Sequence, residues 1–257
     1  MRFIFILFFL IFQFSVAAQV VNIENKRIYD DSVGWSGSIG ASFSAVKNQV
    51  LLINTSFRPL IQYKTKMHYF LLLGDLGYSR GDNQTFANWG MIHFRYTYRL
   101  NFLPHHHTYK SPWKWEVYTQ IQYNQLIRQR MRYLFGMGPR LKILESNKVR
   151  LFVGTSIYYE HEDLLDGILN QDFRSSTYFS WFMNFDSKWS FSGVSYYQPR
   201  VDLWSDSRFL GQYSFSYRLR KNLSLRWDAS IYWDSDPALT VNKSAYNTTL
   251  GFQLGLN

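Results

Sequence analysis

The stretch Val149-Arg150-Leu151-Phe152-Val153-Gly154-Thr155-Ser156-Ile157-Tyr158-Tyr159-Glu160 decides the fold. Its odd positions hold Val149, Leu151, Val153, Thr155, Ile157 and Tyr159, and its even positions hold Arg150, Gly154, Ser156 and Glu160 among others. A helix gathers its apolar residues every three to four positions, whereas a period of two lines them along one face of a strand. Runs of this kind recur on both sides of it, down to the last residue.

Upstream, Trp35–Ala45, Val50–Tyr63, Tyr69–Tyr78, Ile92–Arg99, Trp115–Asn124 and Arg130–Lys142 read as strands. The facing of Tyr69–Tyr78 is ambiguous, because apolar residues occupy both parities. Downstream, the strands are Ser176–Phe185, Trp189–Tyr197, Gly211–Leu219, Leu223–Trp233 and Tyr246–Leu256, with Trp189–Tyr197 the weakest. The count is twelve, with ten or fourteen as neighbouring solutions. Parity assigns Trp35, Phe94, Tyr96, Phe179, Trp181, Tyr213, Phe215 and Trp227 to the apolar faces.

The N-terminus must be set aside before any fold argument. Met1-Arg2 is a minimal basic start, Phe3–Phe14 is almost unbroken Ile, Leu and Phe, and Ser15-Val16-Ala17-Ala18 offers small residues to a signal peptidase. Residues 1–18 are therefore expected to be removed before Gln19. An apolar run of this length is short for a membrane helix, which needs ~20 residues. Residues 19–33 are too polar for a strand and read as a periplasmic tether or a lumen plug. Residues 34–257 form the sheet.

No later segment is apolar enough for a membrane helix. The chain has no cysteine, so an exported protein of 257 residues must be stabilised by a large core or by closing a sheet in lipid. The net charge of +10 invites a nucleic-acid reading. Single basic residues scattered along strands, with no basic helix, argue against it. Aromatics make up 19% of residues and cluster near strand ends, as at Trp35, Tyr63, Tyr98, Tyr159 and Trp233. Trp and Tyr favour such interfaces between apolar and wet surroundings.

The connections also alternate. If the first strand runs outward, the inner turns are Lys64–Met67, Asn101–Pro112, Glu145–Lys148, Asp186–Lys188 and Arg220–Asn222, mostly tight. The outer loops Arg80–Asn88, His161–Asp172, Pro199–Ser207 and Asp234–Ser244 read as long. Short inner turns, longer outer loops and an even strand number are habits of outer-membrane barrels. The competing fold is a soluble sandwich or lipocalin-like barrel with apolar faces turned inward. The polar faces, rich in Arg, Ser, Gln and Tyr, offer no continuous core and favour an antiparallel up-and-down transmembrane barrel with periplasmic termini.

Several short runs strengthen that reading: Trp35-Ser36-Gly37-Ser38-Ile39-Gly40, Arg132-Tyr133-Leu134-Phe135-Gly136-Met137-Gly138, Tyr158-Tyr159-Glu160-His161-Glu162, Leu223-Ser224-Leu225-Arg226, Trp233-Asp234-Ser235-Asp236-Pro237 and Asn247-Thr248-Thr249-Leu250-Gly251. In order and spacing they resemble the DUF481 family of bacterial outer-membrane proteins, some described as salt-induced, from about Trp35 to Asn257. The resemblance implies a Gram-negative outer-membrane barrel and supplies no catalytic residues. One departure is the end, Leu254-Gly255-Leu256-Asn257, where such barrels commonly close on an aromatic residue.

The candidate chemistry is concentrated on the polar faces. Parity places Arg58, His93, Arg95, Arg99, Arg130, Arg132, Arg140, Lys142, Arg150, Arg218 and Arg226 inside, with Glu116, Glu160, Asp228 and Asp75 as the acids. An excess of basic groups suits an anion-attracting pore; an interior cross-linked by Arg, Tyr and carboxylates suits a filled barrel. His105-His106-His107 in a polar turn is a weak metal motif. Glu160-His161-Glu162-Asp163, with Asp166 and Asp172, invites a weak cation site, as does Asp234-Ser235-Asp236, although Pro237 reads as a turn. A lipid-modifying hydrolase would need an activated Ser beside a His, and no strand carries that pairing. Asn54, Asn222, Asn242 and Asn247 match a glycan acceptor pattern without meaning in a bacterium. No cofactor is expected. The roles left are a structural or accessory subunit, meeting membrane lipid, lipopolysaccharide and other envelope proteins, or a narrow anion-leaning channel.

Overall fold

Twelve strands follow one another in chain order in a single antiparallel sheet. The structure, a computed structural model, describes residues 33–47, 51–81, 84–100, 111–146, 148–220, 223–238 and 240–254. The expected leader, all but the last residue of the 19–33 segment and the triple histidine lie outside these residues. The strands are β1 (Gly34–Lys47), β2 (Leu51–Lys64), β3 (His68–Gly81), β4 (Gln84–Arg99), β5 (Trp113–Asn124) and β6 (Gln129–Glu145). They continue as β7 (Val149–Leu164), β8 (Leu169–Asn184), β9 (Trp189–Pro199), β10 (Ser207–Arg220), β11 (Leu223–Asp234) and β12 (Ser244–Leu254). Every strand read from parity is present, the weak Trp189 run as β9.

Three of the tight turns share one local device. Thr65 Oγ1 accepts the N–H groups of Met67 and His68 at 3.3 and 2.9 Å. Ser146 Oγ does the same for Lys148 and Val149, and the Asp186 carboxylate for Lys188 and Trp189. A short polar side chain bonding the backbone two and three residues on makes a reverse turn without further help. These hairpin ends are therefore specified locally, and all three lie at the same end of the sheet.

The expected long loops are shorter than parity implied. β3 runs to Gly81 and β4 starts at Gln84, while β7 and β8 are joined by residues 165–168 only. There Gly167 adopts φ +81°, and its N–H donates to Leu164 O at 3.0 Å. That left-handed backbone closes the hairpin at once and disfavours any side chain. β6, β7 and β8 thus reach 17, 16 and 16 residues. A tilted strand needs only about 9–11 residues to cross a bilayer, so these three project well beyond it.

The sheet is apolar outside and polar inside. Ile39, Ile61, Leu72, Ile92, Ile121, Phe135, Ile157, Phe179, Trp227 and Leu250 are exposed, while Arg95, Glu116, Arg132, Arg140, Glu160, Arg174 and Arg208 are buried. A soluble barrel has the reverse arrangement, since burying apolar surface is what stabilises it in water. β3 explains its own ambiguity. Leu71 and Leu73 face inward to pack with Leu60 and Met91, while Phe70, Leu72 and Leu76 face out.

Aromatic rings band both ends of the outer surface. Trp35, Tyr63, Phe70 and Tyr96 follow one another across β1–β4 with centroid separations of 4.8, 6.3 and 5.0 Å. Trp189 continues the same band against Phe215 and Tyr217. Tyr159 and Phe173 meet at the opposite end. Among the described residues no helix is long and apolar enough to cross a membrane, and the crossing elements are strands. β1 and β12 are not paired with each other in the described ladder. An even strand number leaves them antiparallel, the orientation that closure of an up-and-down barrel in hydrocarbon requires.

Candidate functional site: the charged interior

The interior is built by the inward parity of β4–β11. On β4, His93, Arg95 and Thr97 point in. His93 Nδ1 meets Gln120 Oε1 at 2.9 Å, and Arg95 donates to Glu116 Oε2 at 3.1 Å. Glu116 also accepts from Thr97 and from the Tyr178 hydroxyl, three strands away, at 2.9 Å. Arg140 approaches Glu116 at 3.6 Å, donates to the Tyr178 hydroxyl at 3.2 Å, and stacks over the Phe152 ring at 4.2 Å. This lower cluster ties β4, β5, β6 and β8 together.

A second cluster lies nearer the other end. Glu160 is fully buried and accepts from Arg132 and, at 2.8 and 3.0 Å, from Arg208; Arg174 lies 3.6 Å from it. Arg208 also reaches Glu162 at 3.0 Å and Asp234 at 2.9 Å. Arg174 holds Asp206 through both carboxylate oxygens. A chain of amides, Gln120, Gln122 and Gln129, leads to Glu162. One carboxylate facing three guanidiniums, and one guanidinium facing three carboxylates, cross-link β6, β7, β8, β10 and β11.

The other parity-assigned residues are placed as follows. Arg58 is half exposed and bonds buried Asp75 at 3.3 Å. Arg226 bonds Asp228 at 2.8 Å on β11, both partly exposed. Arg150 stacks over Phe182 at 4.4 Å. Arg99 and Arg218 end their strands at the rim, the latter exposed, and Lys142 pairs with Glu145 at 2.6 Å. Arg130 departs from its assignment. The register slips between Gln129 and Met131, so Gln129 takes the buried place, and Arg130 turns out to meet Asp163 at 3.2 Å. Among the aromatics, Trp35, Phe94, Phe179 and Trp227 are exposed, and Tyr96, Trp181, Tyr213 and Phe215 are half-buried against neighbours on the outer face.

Five charged members escaped the parity reading: Glu162, Arg174, Asp206, Arg208 and Asp234. Four of them sit on strands read as ending too early. Glu162 keeps the parity of Glu160, Arg174 that of Ser176, and Arg208 that of Gln212. Following parity past the apolar band would have found them. They also change the charge balance, because three of the five are acids. The cation motifs are taken up in the same way. Asp163, Asp166 and Asp172 pair with Arg130, Arg128 and Arg200, and among the described residues no cluster of three potential metal ligands occurs.

Small hollows remain in the interior. One of about 60 Å³ lies between His93, Tyr118, Tyr158 and Tyr196, and one of about 50 Å³ lies beneath Pro237, Ala238 and Val241, against Gln129 and Arg208. Each has room for a few waters.

An even-stranded antiparallel sheet with an apolar exterior, two aromatic belts and an ion-paired interior defines an outer-membrane β-barrel protein. The chain belongs to the DUF481 family, described as a protein of unknown function, whose profile matches residues 53–254. No curated protein matches it. Solved structures similar to it include the NanC porin, at 8% identity over 86% of this chain and 98% of that one, TM-score 0.47. A KdgM porin in complex with disordered oligogalacturonate is similar at 11% identity, over 81% and 97%, TM-score 0.43. The outer membrane channel DcaP of Acinetobacter baumannii is similar at 8% identity, over 83% of each chain, TM-score 0.38. Likenesses this remote carry no argument about what the present protein does.

Proposed function

We propose that this protein is a non-enzymatic structural or accessory subunit of the outer membrane, acting through its surfaces rather than as an open pore. The observation that carries this reading is the Glu160–Arg208 pair, which joins β7 to β10 across the interior and is continued by Arg132, Arg174 and Asp234. Displacing such groups from one another to admit a solute would leave buried charges unpaired. Among the buried groups, five arginines face six carboxylates, which weakens the support for anion selectivity.

Purified protein added to planar bilayers is expected to leave them silent or to give only minor leak. Reproducible stepwise conductance with anion selectivity overturns this reading in favour of the narrow channel.

A second observation supports the accessory role. Between β9 and β10, Val201, Leu203 and Trp204 are exposed on a loop that is itself firmly held. Arg200 N–H donates to Asp206 O at 2.8 Å, Val201 N–H to Phe173 O at 2.8 Å, and the Arg200 side chain grips Asp202 at 2.7 Å. The loop sits at this end of the sheet, tied to the backbone of Phe173, whose own ring is exposed on the outer face. An exposed tryptophan on a rigid loop is the usual anchor of a protein interface. Trp204→Ala is expected to weaken co-purification of a partner, after gentle detergent extraction, by about tenfold or more. Equal recovery with wild type and variant would count against docking through this loop.

A further inference from the structure

We propose that the tight-turn end of the barrel is a phosphate-headgroup collar that binds anionic phospholipid of the adjoining leaflet. The inference rests on the transmembrane reading above and adds a ligand class and a site to it. The antiparallel order brings the β2–β3, β4–β5, β6–β7, β8–β9 and β10–β11 connections to this one end. Among the described residues it exposes Lys66, Lys148, Lys188, Arg218 and Arg220, while Arg99, Lys114, Lys142 and Arg150 keep the inward parity.

The only acids described among these turns and strand ends are Glu145 and Asp186. Glu145 is engaged by Lys142 at 2.6 Å, and Asp186 accepts the Lys188 and Trp189 N–H groups, which holds its carboxyl below the usual range. The opposite end differs. There Asp163, Asp166, Asp202 and Asp206 are matched by Arg130, Arg128, Arg200 and Arg174, leaving little net field.

A second feature places the basic groups at headgroup depth. Lys66, Lys188 and Arg220 are exposed in or beside the turns, each within three residues of an outward ring, Tyr63, Trp189 and Tyr217 respectively. Tyr63 and Trp189 belong to the aromatic band whose neighbours stack at 4.1–6.3 Å. Trp and Tyr mark the boundary between acyl chains and headgroups, and an exposed Lys or Arg in the turn beyond it reaches the phosphate layer. The exposed charges are spread around four hairpin ends, as a leaflet surrounding the barrel requires. An acidic protein would instead call for one concentrated patch. Each basic group near an anionic surface raises binding several-fold, and salt screens the effect.

The test uses the full chain in detergent micelles, mixed with equal amounts of dioleoyl phosphatidylglycerol and dioleoyl phosphatidylcholine, with bound lipids counted by native mass spectrometry. Wild type is expected to retain the phosphatidylglycerol in preference. Replacing Lys66, Lys148, Lys188, Arg218 and Arg220 by Gln together is expected to cut that preference by about tenfold. Replacing Arg80, Arg130 and Lys243 by Gln at the opposite end is expected to leave it intact. Equal retention of both lipids by wild type, or equal loss in both variants, overturns the collar. So does inorganic phosphate displacing the lipid at matched concentration. Alkaline carbonate extraction of native membranes keeps the two readings apart. Release of the protein into the supernatant sinks the barrel itself, whereas a retained barrel without lipid preference sinks the collar alone.

Discussion

Glu160→Gln is expected to destabilise the folded barrel by about 3–5 kcal/mol, the range for breaking a buried ion pair from one side. Glutamine keeps the size of the side chain and removes its charge. Arg132, Arg208 and Arg174 then face one another around a neutral group, with only Glu162, Asp206 and Asp234 left to compensate them. The measurement is the urea midpoint of unfolding in micelles, followed by the heat-modifiable migration of the folded band. Asp163→Asn supplies the contrast. It breaks the exposed pair with Arg130, and its effect is expected within about 1 kcal/mol, as for surface pairs generally. A midpoint for the Glu160 variant as close to wild type as that control would show that the cross-links add nothing to stability.

Gly138→Val is expected to be the most disruptive single change in the sheet. A Cβ at Gly138 would lie 2.0 Å from Thr155 O and 2.5 Å from Ser156 Cα, both backbone atoms of β7. Neither can swing aside as a side-chain tip can. β6 and β7 would have to separate, in the longest pair of adjoining strands, where the ladder steps from Met137–Ile157 to Arg140–Gly154. Overpacking in a dense interior costs about 1–3 kcal/mol even when side chains can adjust, and loss of ladder bonds in lipid adds to that. The expected outcome is failure to insert, read as an absence of folded band in isolated outer membranes. Gly154→Val is expected to be milder, because its Cβ would meet the Tyr178 ring, a side chain that can turn. Equal amounts of folded Gly138→Val and wild-type protein would show that β6 and β7 are not so closely apposed.

Period two located the strands, because alternation is a property of each segment by itself. It assigned facing correctly where one side is polar, as in β7, and was silent where both sides are apolar, as in β3. It stopped at the edge of the apolar band, because beyond it the outward side chains are polar too: His161 and Asp163 on β7, Gln171 on β8. The continuing strands were therefore taken for loops, and Arg174, Arg208 and Glu162 were lost with them. Arg130 failed for a different reason. A single register slip reverses facing, and no local pattern announces it.

What the chain alone determined is the kind of object: many short amphipathic strands, greasy on one side, joined at one end by turns whose Thr, Ser and Asp residues bend the backbone unaided. Those are local consequences of side-chain order. Which charge meets which was decided only by the rolled sheet, since Glu160 and Arg208 are separated by two intervening strands and their meeting depends on curvature and register. Coulomb attraction between such groups acts over a few ångströms, a distance that sequence separation does not encode. The excess of basic groups suggested by parity thus disappears among the buried groups, because folding brings the distant carboxylates Glu162, Asp206 and Asp234 to them.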